Sequence, residues 1–163
     1  INNFLFDRVQ VASTVFLIHI LEHTMSQFIQ TDFWEMELPE EWDAEQDEET
    51  ILVSDADGVS LIELTALARP ENVSDQEALA QLAEELIAQE IAADPVTVGA
   101  FNGWVFHFTD EEDGSYREWY LFHPDFVLLV SHGTDAEHAG WDDDVVDEML
   151  STLAPLGSAQ PLQ

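Results

Sequence analysis

The chain has no lysine, no cysteine and only three arginines, Arg8, Arg69 and Arg117, against 35 aspartates and glutamates in 163 residues, a formal charge of −32. Nucleic-acid affinity comes largely from Lys and Arg displacing the counterions condensed on phosphates, so the shortage of cations argues against a nucleic-acid partner. It argues equally against electrostatic attachment to an anionic membrane surface. The missing cysteines remove disulfide frameworks, thiolate nucleophiles and Cys-based metal sites, and fit a cytoplasmic protein. Such a field attracts cations and basic or partly apolar partners and repels nucleotides. An acidic surface without Lys is also a form of salt adaptation.

Apolar residues are not scarce. Hydrophobic residues make up 46% of the chain, with ten Phe and five Trp. Disordered acidic chains are poor in aromatic and branched residues, so this composition predicts a folded acidic protein. The length suits one domain with a sizeable buried core.

Residues 1–24 differ from the rest. Val9–Leu21 is apolar apart from Gln10, Ser13, Thr14 and His19. It is shorter than the roughly 20 residues a membrane span needs, so stable membrane insertion is not expected. Arg8 precedes it as in a signal peptide, but His23-Thr24-Met25 is no small-residue cleavage site. Met25-Ser26-Gln27 has the look of an ordinary protein start. The expected division is an apolar leader over 1–24, a single acidic domain over 25–155 and a frayed tail over 156–163. The leader reads as an appended segment, an amphipathic helix packed on the domain, or an anchor.

Within the domain, Phe33–Leu38 alternates apolar and acidic residues, the period of a half-buried strand. Pro39 stops it, Trp42 follows in a loop, and the run Glu45–Glu49 reads as a solvated connection. Thr50–Ser54 and Val59–Ala68 form a hairpin through the turn residues Asp55-Ala56-Asp57-Gly58. Ser74-Asp75-Gln76-Glu77 is a capping box opening a helix over Asp75–Ala92, with Leu79, Leu82, Leu86 and Ile87 on its core stripe. Leu82→Ala is then a core truncation costing about 2–5 kcal/mol.

A meander follows: Val96–Ala100, a turn at Asn102-Gly103, then Trp104–Phe108, Tyr116–Phe122 and Phe126–His132. Asp142 is the expected cap of a last helix with Val145, Val146, Met149, Leu150 and Leu153 inward, ended by Pro155. The fold class is α+β, a mainly antiparallel β-sheet with two amphipathic helices packed on it. Several strands are apolar on both faces, as at Trp104-Val105-Phe106, so the sheet must be covered twice or expose an apolar surface to a partner.

No chemistry emerges from the motifs. Asp55–Gly58 and Asp110–Gly114 lack the first and twelfth ligands of a calcium loop, with Val53 and Leu64, and Thr109 and Tyr120, in those places. His19 and His23 lack an HExxH context, and His107, His123, His132 and His138 form no zinc signature. There is no G-x-S-x-G elbow, and Ser131-His132 are neighbours on a strand that face opposite ways. Arg117 is expected to pair with an acid on a neighbouring strand or to stack on Trp119 or Trp104. No catalytic residue, no cofactor-binding residue and no metal ligand is therefore assigned, and no cofactor is expected.

Leu38-Pro39-Glu40-Glu41-Trp42, the Asp57-Gly58 turn with Val59–Ala68, the capped helix, Gly99–Phe106, Trp119-Tyr120-Leu121 and the final helix together resemble the DcrB-like domain of the PsbP-like fold, over residues 28–155. The resemblance implies a PsbP-like layered sandwich. Stand-alone cytoplasmic members that this chain resembles are effector-associated chaperones of type VI secretion, which hold the apolar N-terminal helices of a toxin. It implies no catalytic residues. The expected function is a non-enzymatic chaperone or adaptor for apolar helical segments, with a homodimer as one option. The alternatives are an immunity protein for a basic toxin and a small hydrolase or metal-binding domain.

Overall fold

The computed structural model describes residues 17–20 and 27–156. The remainder of the leader, with Arg8 and His23, and the tail beyond residue 156 lie outside the described residues. In chain order the elements are β1 (Leu17–Ile20), β2 (Gln27–Gln30), β3 (Trp34–Leu38), β4 (Trp42–Asp47), β5 (Thr50–Asp55) and β6 (Leu61–Ala68). Then come α1 (Asp75–Leu82), α2 (Glu84–Ala88), β7 (Ala93–Val98), β8 (Phe101–Thr109), β9 (Ser115–Phe122) and β10 (Phe126–Thr134). A 3-10 turn (Ala136–His138), α3 (Asp143–Leu150) and β11 (Ala154–Pro155) complete it.

All pairings are antiparallel, in a seven-stranded sheet of order β4-β5-β6-β10-β9-β8-β7 and a four-stranded sheet of order β1-β2-β3-β11. The α+β class expected from the hairpins is what forms. The large sheet is covered on its inner face and over part of its outer face, as its doubly apolar strands require. On its inner face Ile51, Ile62, Leu64, Val105, Trp119, Leu121, Leu128 and Val130 meet Ile29, Trp34, Met36 and Leu38 of the small sheet and Val146, Met149 and Leu150 of α3. On its outer face Leu67, Phe106, Tyr120, Phe122 and Val127 pack under Ala78 and Leu79 of α1 and under Ala83.

Several expectations need correction. Trp42 is not in a loop: it is buried at the start of β4, and Ala44 follows it inward while Asp43, Glu45 and Asp47 face out. An edge strand that carries acids outward is guarded against pairing with other chains, which is why it reads as a charged connection. The helix over Asp75–Ala92 is two helices, because Ala83 leaves helical geometry at φ −104°, ψ 27°. Its capping box forms, with Glu77 N–H donating to Ser74 Oγ and Ser74 N–H to Glu77 Oε2. Its core contacts come from Ala78, Leu79 and Ala83, whereas Leu82 and Leu86 are half-buried and Ile87 is 43% exposed.

The meander's first turn is at Gly99-Ala100, not Asn102-Gly103, since Val98 pairs with Phe101 across it. Gly99 supplies the positive φ of 57°. A Cβ on Gly103 would fall 1.9 Å from the Tyr120 carbonyl oxygen, so that glycine serves strand contact rather than turning. Pro95, expected before the first strand, lies inside β7, tolerated because β7 is an edge. Asp142 precedes α3 but makes no capping bond with its side chain. Beyond the helix, Pro155 joins Ala154 in pairing with β3, and Leu156 N–H, assigned to the tail, donates to the Phe33 carbonyl. Leu17–Ile20, inside the apolar leader, pairs with β2 as a strand.

Candidate functional site

Two regions gather polar side chains. The first is the part of the outer face that α1 and α2 leave open. Strand register sets Glu45, Leu52, Glu63, Ser131 and Glu118 in one row across β4, β5, β6, β10 and β9, and Asp43, Ser54, Leu61, Gly133 and Tyr116 in the next. With the Asp110–Gly114 turn and Asp135 at its ends, this surface forms an open groove of about 500 Å³, lined by Leu61, Glu63, Asp110, Glu112, Tyr116 and Asp135 among others. Gly133 gives the floor its depth: a Cβ there would meet the Tyr116 ring at 2.7 Å. Tyr116 stacks on Phe108 with centroids 5.4 Å apart and donates its hydroxyl to Asp110 Oδ2 at 3.0 Å.

The same row reaches the helix-covered core at Glu118, which accepts the Tyr120 hydroxyl at 3.0 Å. Burial raises the Glu118 pKa, and the Glu63 charge adds to this while the Tyr120 bond opposes it. Burial and then the Glu118 charge raise the Tyr120 phenol. The outer face thus carries carboxylates in two environments, solvated at Asp110 in the groove and partly desolvated at Glu118 beside it.

The second region lies on the inner face where α3 meets the sheet. Arg117 projects from β9, stacks over the Trp119 ring at 4.8 Å, and pairs with Asp147 at 2.6 Å and Asp143 at 3.4 Å. Its acids come from α3, not from a neighbouring strand as expected. Arg117 Nη2 also lies 3.4 Å from His132 Nδ1, while His132 Nε2 lies 3.2 Å from Ser60 Oγ, and Ser60 Oγ donates to Asp142 Oδ2 at 2.6 Å. A guanidinium only donates, so Nδ1 is the acceptor and the neutral ring carries its proton on Nε2. The bonds then run in one direction, Arg117 to His132 to Ser60 to Asp142. Burial and, next, the Arg117 charge lower the His132 pKa, against the upward pull of Asp143, Asp142 and Asp147.

A serine, a histidine and an aspartate in contact invite comparison with a hydrolase. In a nucleophilic triad the aspartate orients the histidine and the histidine takes the serine proton. Here the aspartate accepts the serine hydroxyl's hydrogen bond directly and the arginine donates to the other ring nitrogen. Ser60 is 1% and His132 3% exposed, so neither meets solvent. The sequence sets His132 beside Ser131 and groups it with His107, His123 and His138. The residue it contacts is Ser60, 72 positions away, and no local signal points to it.

The other candidates have structural partners. Asp55 Oδ1 accepts Val59 and Ser60 N–H, and Asp110 Oδ1 accepts Glu112 and Gly114 N–H, as turn residues do. His123 stacks on Phe126, His138 bonds Asp135 and meets Trp141 edge-on, and His107 is exposed opposite Arg117. Arg69 pairs with Asp75 and donates to the carbonyls of His123 and Val73, tying α1 to the end of β9. Among the described residues no group of three His, Asp or Glu is arranged to hold a metal ion. No described helix is long and apolar enough to cross a membrane.

No family model matches the chain, and no curated protein does. Several solved structures resemble it, and two of them illustrate the likeness. A protein from Bacteroides thetaiotaomicron VPI-5482 is 18% identical with a TM-score of 0.58, over 79% of this chain and 47% of that one, so this chain spans about half its length. LpqN, involved in cell envelope biogenesis of Mycobacterium tuberculosis, is 12% identical with a TM-score of 0.57, over 95% of this chain and 96% of its own. At these identities the likeness is one of fold, and the chain shares with both an architecture of antiparallel sheet and packed helices.

Proposed function

We propose that this is a non-enzymatic binding protein whose open outer-face groove holds an amphipathic, basic segment of another protein. The observation that carries the reading is the groove itself: a concave stretch of sheet, uncovered by α1 and α2, that combines Leu61 and Tyr116 with Glu63, Asp110, Glu112 and Asp135. Leu61 is 41% exposed there, so a partner's apolar residue gains by covering it, while Lys or Arg side chains on the same segment meet carboxylates. A second copy is the weaker occupant, because two chains at −32 repel.

This adapts the chaperone expectation. Effector-associated chaperones of type VI secretion, which the sequence resembles, hold apolar helices, and a helix lying in a groove is anchored at i, i+3, i+4 and i+7. The large sheet buries most of its apolar side chains under its own helices and small sheet, so a client here needs basic flanks as well as an apolar stripe. The cytoplasmic location belongs to this reading. The likeness to LpqN over nearly the whole of both chains favours a second one, the same groove working at the cell envelope. Fractionation of the producing cell separates the two.

The test is calorimetric titration with a helical peptide carrying one apolar stripe and Lys flanks, beside the same stripe with Glu flanks. The basic peptide should bind and weaken as salt rises, the acidic one should not bind, and Glu63→Gln combined with Glu112→Gln should weaken the first. Equal binding of an uncharged apolar helix would restore the purely apolar chaperone. Binding confined to a folded basic protein would favour the immunity reading, and binding of neither would end the proposal.

A further inference from the structure

The bond chain at α3 has a property that packing alone does not require: its direction depends on His132 being neutral. We propose that Arg117, His132, Ser60 and Asp142 form a pH-sensitive latch that holds the N-terminal half of α3 on the sheet and releases it when His132 takes a second proton. The inference stands on this geometry and not on the groove reading above.

The second proton has one place to go. Nε2 already carries one, shared with Ser60, so the new proton lands on Nδ1, the atom facing the Arg117 guanidinium at 3.4 Å. An acceptor becomes a donor, and two cations face each other where His132 is 3% exposed. Every group that faces the ring bears on the balance. Arg117 of β9 opposes protonation, with His107 of β8 beside it in register, while Asp143 and Asp147 of α3 and Asp142 just before it favour it. Ser60 stays in place on the sheet, since its amide is held by Asp55, so release acts through Arg117 and its pairs with Asp143 and Asp147.

Arg117 is the joint that yields. Its Nε is buried without a partner, so only its two terminal nitrogens and the Trp119 stack hold it. When the guanidinium turns from His132, its pairs with Asp143 and Asp147 must move or break, and those residues are the first turns of α3. Asp147 and Leu150 also wall a groove of about 300 Å³ that includes Val96, Val98, Val105 and Trp119, so release of α3 widens an apolar recess on the inner face.

The test is native-state hydrogen exchange of the whole chain, followed by NMR together with the His132 ring titration. The Val146 and Ser151 amides, which donate to Asp142 and Asp147, report on α3, and the Ala83 amide, which donates to Leu79, is the control on α1. Corrected for intrinsic rates, α3 exchange should rise on the order of tenfold relative to α1 between about pH 7 and about pH 5, the factor that goes with losing one buried hydrogen bond. The midpoint should track the His132 titration. His132→Gln, which still accepts from Arg117 and donates to Ser60, should flatten the response. Parallel loosening of α1 and α3, an unchanged slope in His132→Gln, or α3 loosening in the wild type while His132 stays neutral would each overturn the latch.

Discussion

The two faces of the seven-stranded sheet are built from the same strands and solve the charge problem in opposite ways. The inner face is closed by a second sheet and a helix, and its buried histidine sits in a chain of bonds running from Arg117 to Asp142. The outer face is closed only where α1 and α2 lie, and its carboxylates stand in rows on open sheet. Burying a charge demands a partner, and with Arg69 and Arg117 the only Lys or Arg side chains among the described residues, the fold can neutralise few acids internally. Most of the 35 acids must therefore remain in water, and an incompletely covered sheet face is one place to keep them.

The difference between the faces is sharpest in core truncation. Leu121, fully buried on the inner face, should lose about 2–5 kcal/mol on change to Ala, because neighbours on both sides leave a cavity. Leu82, half-buried at the end of α1, should lose only about 1 kcal/mol, below the core value expected from its helical stripe. Urea midpoints analysed at constant slope give both numbers. Equal losses would mean that the helix layer is as tightly packed as the small sheet.

A smaller effect should appear at Glu118. Its folded pKa lies above the unfolded value, so its contribution to stability is present below the unfolded pKa and is lost as pH rises through the folded one. Glu118→Gln should therefore raise the urea midpoint at neutral pH and leave it nearly unchanged in acid, the amide oxygen still accepting from Tyr120. A fall at neutral pH would show that the ionised carboxylate is stabilising and that water reaches this row throughout.

The smallest effect compares two histidines near α3 with shifts of opposite sign. The His132 pKa is lowered, so the stability it permits is complete above its unfolded pKa near 6.5 and declines as pH falls. The His138 pKa is raised by its bond to Asp135, so its contribution is complete below about 6.5 and fades as pH rises through its folded value. His138 titrates at the surface, so His138→Gln should give a slight loss at acid pH that added salt erases. Thermal midpoints at low and high salt decide it, and a loss that survives salt would place His138 in a more protected setting than the sheet's open face.

Much of this fold is legible in local sequence because local physics decides it. Ser74 and Glu77 mark the start of α1, Asp55 and Gly58 turn the β5–β6 hairpin, and the double apolar character of β8 to β10 signals a sheet covered on both faces. The charge also sets a limit on partners without any structure. Other features follow from what lies across the chain. Asn102-Gly103 has the chemistry of a hairpin turn, yet the backbone of Tyr120 claims Gly103 as a contact point and the turn moves to Gly99, which packs against Leu153. Glu45 and Asp47 look like a solvated loop until β5 pairs with them. Asp142 stands where a cap belongs, but Ser60 draws its carboxylate away, and only folding brings those two residues and His132 together. Periodicity and turn chemistry act over a few residues and can be read from the chain. Burial, pairing across strands and the partners of a buried ionisable group depend on residues brought together from elsewhere in the chain, as with Ser60 and His132, 72 positions apart, and those the tertiary structure alone decides.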